Sequence, residues 1–224
     1  MVERIILYED NHLLALNKPA GTLVQGDHTG DVSLVDHAKE YLRIKYQKPG
    51  NVYVGLVHRL DRPVSGVILM TKTSKALTRM NKLFSSHLVK KCYWALTNNR
   101  PPTESGTLVH WLKKNPEKNL TRAFTKEVSG ARRSELDYEL VSARGNQYLL
   151  EVFPKTGRPH QIRVQLSAIG CPITGDVKYG YKGNPSGSIA LHARSLFFEH
   201  PVKKEPLLIQ ASLPESDYWD EFQI

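Results

Sequence analysis

The sequence predicts an α+β fold, with a mixed, mainly antiparallel central sheet flanked by a few helices and loops. Three observations predict it. Short strand-like apolar segments far outnumber stretches with helical spacing, no regular β–α–β alternation runs along the chain, and Arg144-Gly145-Asn146 joins two strand patterns as a tight hairpin.

Two strand patterns open the chain, Arg4 to Tyr8 and Leu13 to Asn17, with Glu9-Asp10-Asn11 as the turn between them. A helix is expected from Ser33 to Lys45, because Leu34, Ala38, Tyr41 and Leu42 share one face and Ser33 suits an N-cap. A second runs from about Lys75 to His87, capped by Ser74, with Leu77, Met80, Leu83 and Phe84 inward. Further strands are expected at Leu56 to Arg59, Val67 to Lys72, Cys92 to Thr97, Thr107 to Leu112 and Arg122 to Thr125. The series continues with Ser134 to Ala143, Gln147 to Phe153, Ile189 to Phe198 and Leu207 to Leu213. A third helix follows Pro159, a residue suited to a first helical turn, and ends at Gly170. There is no internal repeat and no linker that forces a boundary, so residues 1–224 are expected to form one catalytic-size domain and a monomer.

The chain has 224 residues, enough to bury a substantial core; 40% hydrophobic and 24% charged residues set it apart from disordered and fibrous chains. No run reaches the roughly 18 apolar residues of a membrane helix, and the N-terminus lacks a signal-peptide layout. Cys92 and Cys171 are too few for a disulfide scaffold or a four-cysteine zinc site, so a reducing cytoplasmic setting is expected. The nine histidines show no paired metal-ligand spacing, and no nucleotide-binding glycine loop or nucleophile elbow is present; neither metal nor cofactor is expected.

Charge is concentrated. Between Lys72 and Arg133 lie 14 lysines and arginines against three acids, a local +11; the remainder carries 17 basic and 19 acidic residues, or −2. The whole surplus falls in one stretch, which marks a surface for a polyanion. Composition alone does not separate RNA from DNA or from an acidic protein.

Two segments place reactive side chains on rigid supports. In Val57-His58-Arg59-Leu60-Asp61-Arg62-Pro63-Val64-Ser65-Gly66, strand-like sequence enters and leaves a polar loop that carries Asp61 between two arginines. Neighbouring guanidinium groups favour a carboxylate in its ionised form. The same string also fits an ordinary ion-paired turn. In Lys155-Thr156-Gly157-Arg158-Pro159-His160-Gln161-Ile162-Arg163, helical spacing puts Ile162, Leu166 and Ile169 on one face and His160, Arg163 and Ser167 on another. The helix start, with Arg158 beside it, is suited to a phosphate. Lys91-Cys92-Tyr93-Trp94 alternates as a strand, with Lys91 and Tyr93 on one side.

Six strings, in order, resemble those of the RluA-type pseudouridine synthases. They are Asn17-Lys18-Pro19-Ala20-Gly21, the His58-Arg59-Leu60-Asp61 loop ending in Ser65-Gly66, and Lys91-x-Tyr93-x-Ala95. The others are Thr156 to Arg163, Gly175-Asp176-x-x-Tyr179-Gly180 and Leu191-His192-Ala193. The likeness extends from about Leu7 to Pro214. One position departs, Val64, where the family usually has threonine. Many relatives carry a small N-terminal RNA-binding domain; this chain begins almost directly with the catalytic pattern and is expected to be of the compact kind.

The resemblance implies an isomerase that turns uridine in structured RNA, ribosomal or transfer, into pseudouridine without cofactor or metal. It implies Asp61 as the essential aspartate, Arg163 as its ion-pair partner and Tyr93 as the tyrosine stacking on the base. His58, Arg59, Arg62, Arg158, His160 and Gln161 are expected to contact the RNA, Arg59 by filling the space of a flipped nucleotide. Two other classes share parts of the pattern: an RNA-binding or folding assistant with little catalysis, and a hydrolase that pairs Asp61 with a second carboxylate to cut an N-glycosidic bond.

Overall fold

The structure is a computed structural model that describes residues 2–27, 30–184, 187–215 and 218–222. In chain order its strands are β1 (Ile6–Glu9), β2 (Leu13–Lys18), β3 (Gly55–Leu56), β4 (Ser65–Thr71), β5 (Lys90–Thr97) and β6 (Ser105–Asn115). They continue as β7 (Leu120–Phe124), β8 (Arg132–Arg144), β9 (Gln147–Pro154), β10 (Leu191–Glu199) and β11 (Pro206–Gln210). The helices are α1 (Leu34–Lys45), α2 (Ser74–Ser85) and α3 (Gln161–Ala168). Internal contacts divide the chain into two compact units, Met1–Lys91 with Ala193–Pro214, and Cys92–His192 with Glu215–Ile224.

In the first unit the strand order is β1–β2–β4–β10, with β11 on β10 and β3 beside β4. All seven residues of β4 are buried, as its unbroken apolar run requires of a strand covered on both faces. Its core joins Leu13, Ala15, Val67, Leu69 and Met80 to Leu196, Phe198 and Ile209. Helix α1 starts where expected: the Ser33 hydroxyl accepts from the Asp36 N–H and the Asp36 carboxylate from the Ser33 N–H, a complete capping box. Helix α2 starts one residue earlier than expected, because extended Thr73 is the cap and its hydroxyl accepts from the Ala76 N–H.

Three expected strands are cut short; that expected to run to Leu213 ends at Gln210. The chain opens as a 3-10 turn over Val2–Ile5 that buries Val2, and β1 begins only at Ile6. The strand expected at Leu56 to Arg59 stops at Leu56: the Leu69 N–H of β4 donates instead to His58 Nε2 at 3.0 Å, so a side chain takes the place of a ladder partner.

In the second unit the order is β5–β9–β8–β6–β7, antiparallel at every step. The expected hairpin is present, with Arg144 opposite Gln147 and Gly145 at φ +55°. Helix α3 packs on the β6–β7 hairpin through Leu112, Val164 and Tyr179. Its sequence suggested one apolar and one basic surface face; in the fold Gln161 to Leu166 are all buried. The polar members tolerate this because each has a built partner. No helix among the described residues is long and apolar enough to cross a membrane.

Candidate active-site residues

Asp61 lies in the first unit, partly exposed, on the loop that enters β4. The turn is closed by the Val64 N–H donating to the Asp61 carbonyl at 3.1 Å. Beneath it lies Lys18, at the end of β2 and fully buried. Its ammonium donates to the carbonyls of Val64 (2.7 Å), Arg62 (3.0 Å) and Pro19 (3.0 Å). Burial pushes the Lys18 ammonium down to about 8, against the pull of Asp61, which favours its charged form. Lys18 therefore fastens two segments from inside.

Gly21 and Arg62 fasten the same segments from outside. The Gly21 N–H donates to the Arg62 carbonyl, and Arg62 Nε returns a bond to the Gly21 carbonyl at 2.9 Å; Arg62 Nη2 also meets Asp31 at 2.9 Å. At the exit of the loop, Gly66 has φ +110°, and a Cβ there would lie 2.3 Å from the Ala193 carbonyl oxygen, so only glycine fits. Arg59 is exposed at the start of the loop. His58 is turned inward, stacked on Phe84 at 5.3 Å, and burial followed by the charge of Lys91 lowers it to about 4. Its Nε2 accepts a hydrogen bond, which requires the neutral ring.

Tyr93 and Arg163 lie in the second unit. Tyr93 stands on β5 opposite Val152 of β9, partly buried; its neighbour Trp94 donates to Glu151 at 2.9 Å. Arg163 is buried in α3, and Asp176 grips it with two parallel bonds, Nε to Oδ2 at 2.7 Å and Nη2 to Oδ1 at 2.9 Å. The ring of Tyr179 lies under the guanidinium at 5.0 Å. The Tyr179 hydroxyl accepts from the Thr121 N–H and lies 2.7 Å from His160 Nδ1.

His160 has φ +55°, a left-handed residue at the start of α3. Gln161, expected on the surface, is buried and holds the preceding loop. Its Oε1 accepts from the Thr156 hydroxyl and the Arg158 N–H, while Nε2 donates to the Glu135 carbonyl. Arg158 is partly exposed, and its Nε has no hydrogen-bond partner among the described residues.

Sequence reasoning gave no role to Lys18, Asp176 or Tyr179, although all three sit inside strings it singled out. The signal for Lys18 was a cation ending a mainly apolar strand; for Asp176 it was the first charged residue after Arg163, directly behind a glycine.

The β6–β7 hairpin presents a second group. Lys113 is opposite Arg122 and Trp111 opposite Phe124, one face of alternating basic and aromatic pairs, with Lys114, Lys118 and Arg132 exposed beside it.

The α+β scaffold thus carries an aspartate on a fastened loop in its first unit, and a buried, carboxylate-gripped arginine and a basic, aromatic hairpin in its second. The family model described as RNA pseudouridylate synthase matches residues 12–168, and the chain belongs to that family; it is an RNA pseudouridine synthase, an isomerase. Among curated relatives, ribosomal large subunit pseudouridine synthase C of Rickettsia prowazekii is 34% identical over 93% of this chain and 68% of its own length. The protein of that name in Vibrio cholerae is 32% identical over 95% of this chain and 66% of its own. Human RNA pseudouridylate synthase domain containing 4 has a TM-score of 0.80, covering 96% of this chain and 90% of that one at 24% identity, a likeness of fold.

Proposed function

We propose that this chain isomerises uridine in ribosomal RNA with Asp61 as its essential carboxylate, Arg163 as the cation that orients it and Tyr93 against the base. The N-glycosidic bond of uridine breaks, uracil turns, a bond forms from the sugar to carbon 5, and the carbon 5 proton leaves while the former glycosidic nitrogen gains one. Nothing is oxidised and no group is imported, so the reaction asks for no cofactor. The observation that carries this reading is the fastening of the Asp61 turn. Lys18 and Gly21 hold its backbone, so the main chain that carries the carboxylate is fixed.

The target atom is hidden in a stacked helix, so the nucleotide must be extruded at a cost of a few kcal/mol. Arg59 fills the space it leaves. Arg62, Arg158 and His160 meet the backbone beside it; His58 and Gln161 act through the loops they hold. The Trp111, Lys113, Arg122 and Phe124 face supplies much of the remaining affinity, combining phosphate contact with stacking. Residues 1–224 act together as one catalytic domain, a cytoplasmic monomer.

The test is ribosomal RNA carrying tritium at carbon 5 of uridine. Wild-type protein is expected to release label to water while the base stays attached. Asp61→Asn is expected to abolish release with RNA affinity largely kept. Free uracil would mean hydrolysis instead, and binding without release an RNA assistant. Retained turnover in Asp61→Asn would remove the aspartate from the mechanism, and unchanged affinity and turnover in Arg59→Ala would remove the wedge.

A further inference from the structure

We infer that Asp176 is a positioning residue for this reaction, acting through Arg163, with the Tyr179 ring as the second wall of the guanidinium's seat; this rests on the function proposed above. An arginine has five N–H donors, and the geometry of the contact decides which remain. Asp176 takes the Nε edge: its Oδ2 meets Nε at 2.7 Å and its Oδ1 meets Nη2 at 2.9 Å. That side-on grip fixes the rotation of the guanidinium plane about its own axis and directs the Nη1–Nη2 end away from Asp176. A carboxylate to be oriented by Arg163 must meet that end.

The seat itself is rigid. Arg163 and Asp176 keep only 7% and 1% of their side-chain surface, so solvent screens the pair little. The backbone of Asp176 is tied on both sides, its N–H to the Ile173 carbonyl and its carbonyl to the N–H groups of Tyr179 and Tyr181. Gly175 before it has φ +84°, and a Cβ there would lie 2.5 Å from the Ser188 carbonyl oxygen, so the approach to Asp176 admits only glycine. Tyr179 closes the face of the guanidinium at 5.0 Å and is itself pinned from two directions, by the Thr121 N–H and by His160.

The experiment measures single-turnover tritium release and RNA dissociation constants for Asp176→Asn, Asp176→Glu and Tyr179→Leu, each scaled to the folded fraction from a thermal melt. Asp176→Asn is expected to slow release by on the order of a hundredfold, the effect of misplacing a catalytic group by about an ångström, with the dissociation constant within about twofold of wild type. Asp176→Glu keeps the charge and is expected to recover to within about tenfold of wild type. Tyr179→Leu leaves the Arg163–Asp176 ion pair intact and is expected to lose roughly fivefold in rate with affinity unchanged.

A rate within about threefold of wild type in folded Asp176→Asn, or a loss of affinity in step with rate, overturns the inference. Should Asp176→Asn fail to fold, wild-type rates in both other variants overturn it and slowed release at unchanged affinity upholds it. A wild-type protein that releases no tritium, or an Asp61→Asn that still does, refutes the proposed function instead.

Discussion

The loop of Asp61 and the helix of Arg163 are held in place by opposite means. The loop is fastened through its backbone: one buried ammonium binds three carbonyls, and the Gly21 and Arg62 main chains close the other side. The helix is fastened through its own side chains, Arg163 to the Asp176 carboxylate, Gln161 to the Thr156 hydroxyl and the Glu135 carbonyl, and Gln165 to the His110 ring. Backbone fastening depends on one buried side-chain donor and a few main-chain bonds, and leaves most side chains of the loop open to change. Side-chain fastening depends on every pair at once. The loop is thus expected to fail at Lys18 and Gly66 and to tolerate substitution at most other positions, whereas α3 is expected to fail wherever a partner is removed.

Lys18→Met is the largest expected breach of the loop. Methionine matches the length of the lysine stem but donates nothing, and three carbonyls lose a partner at about 1–3 kcal/mol each. Part of this is offset because an ammonium no longer has to be buried, which leaves a net loss on the order of 4 kcal/mol. Denaturant unfolding at pH 7 measures it. A loss below about 1 kcal/mol would mean that the loop does not depend on its cation.

His58 gives the second largest effect and confines it to a pH window. Its folded value, lowered to about 4, lies below the ordinary 6.5, because burial and the charge of Lys91 oppose protonation. As pH falls from 6.5 toward 4 the unfolded chain takes up a proton that the folded one refuses. Stability is therefore full above 6.5 and is lost across that interval, by on the order of 3 kcal/mol. His58→Gln keeps an acceptor for the Leu69 N–H without titrating. The difference between its stability curve and that of the wild type is expected to be flat above pH 6.5 and to slope below it; parallel curves would mean that the imidazole is not held neutral.

This contrast also explains what was legible in the sequence. Strands β4, β8 and β9, the Ser33 cap of α1 and the Gly145 turn were readable because periodicity and local chemistry set them. The loop position of Asp61 was readable because strand-like sequence flanks it, whereas the role expected of it came from the family resemblance. The burial of α3 was not readable, since Gln161, Arg163 and Gln165 are polar residues that look solvated until the residues that satisfy them, 13 to 55 positions away for Asp176, Glu135 and His110, are folded against them. Lys18 was hidden for a related reason: its partners are carbonyls, and carbonyls carry no sequence signal.

Val64 sharpens the comparison with the smallest expected effect. The family usually has threonine at this position, and its hydroxyl is absent here. Yet the two bonds that Val64 makes at the turn come from its main chain, the N–H to the Asp61 carbonyl and the carbonyl from Lys18. The side chain is buried at 3% exposure and adds only apolar packing. Val64→Thr keeps the branched shape and both backbone bonds while burying one hydroxyl. Stability is expected to change by about 1 kcal/mol or less and the rate of tritium release by less than about threefold. A tenfold gain in rate would mean that a side-chain hydroxyl at this turn positions the aspartate after all. The loop would then share the side-chain logic of α3.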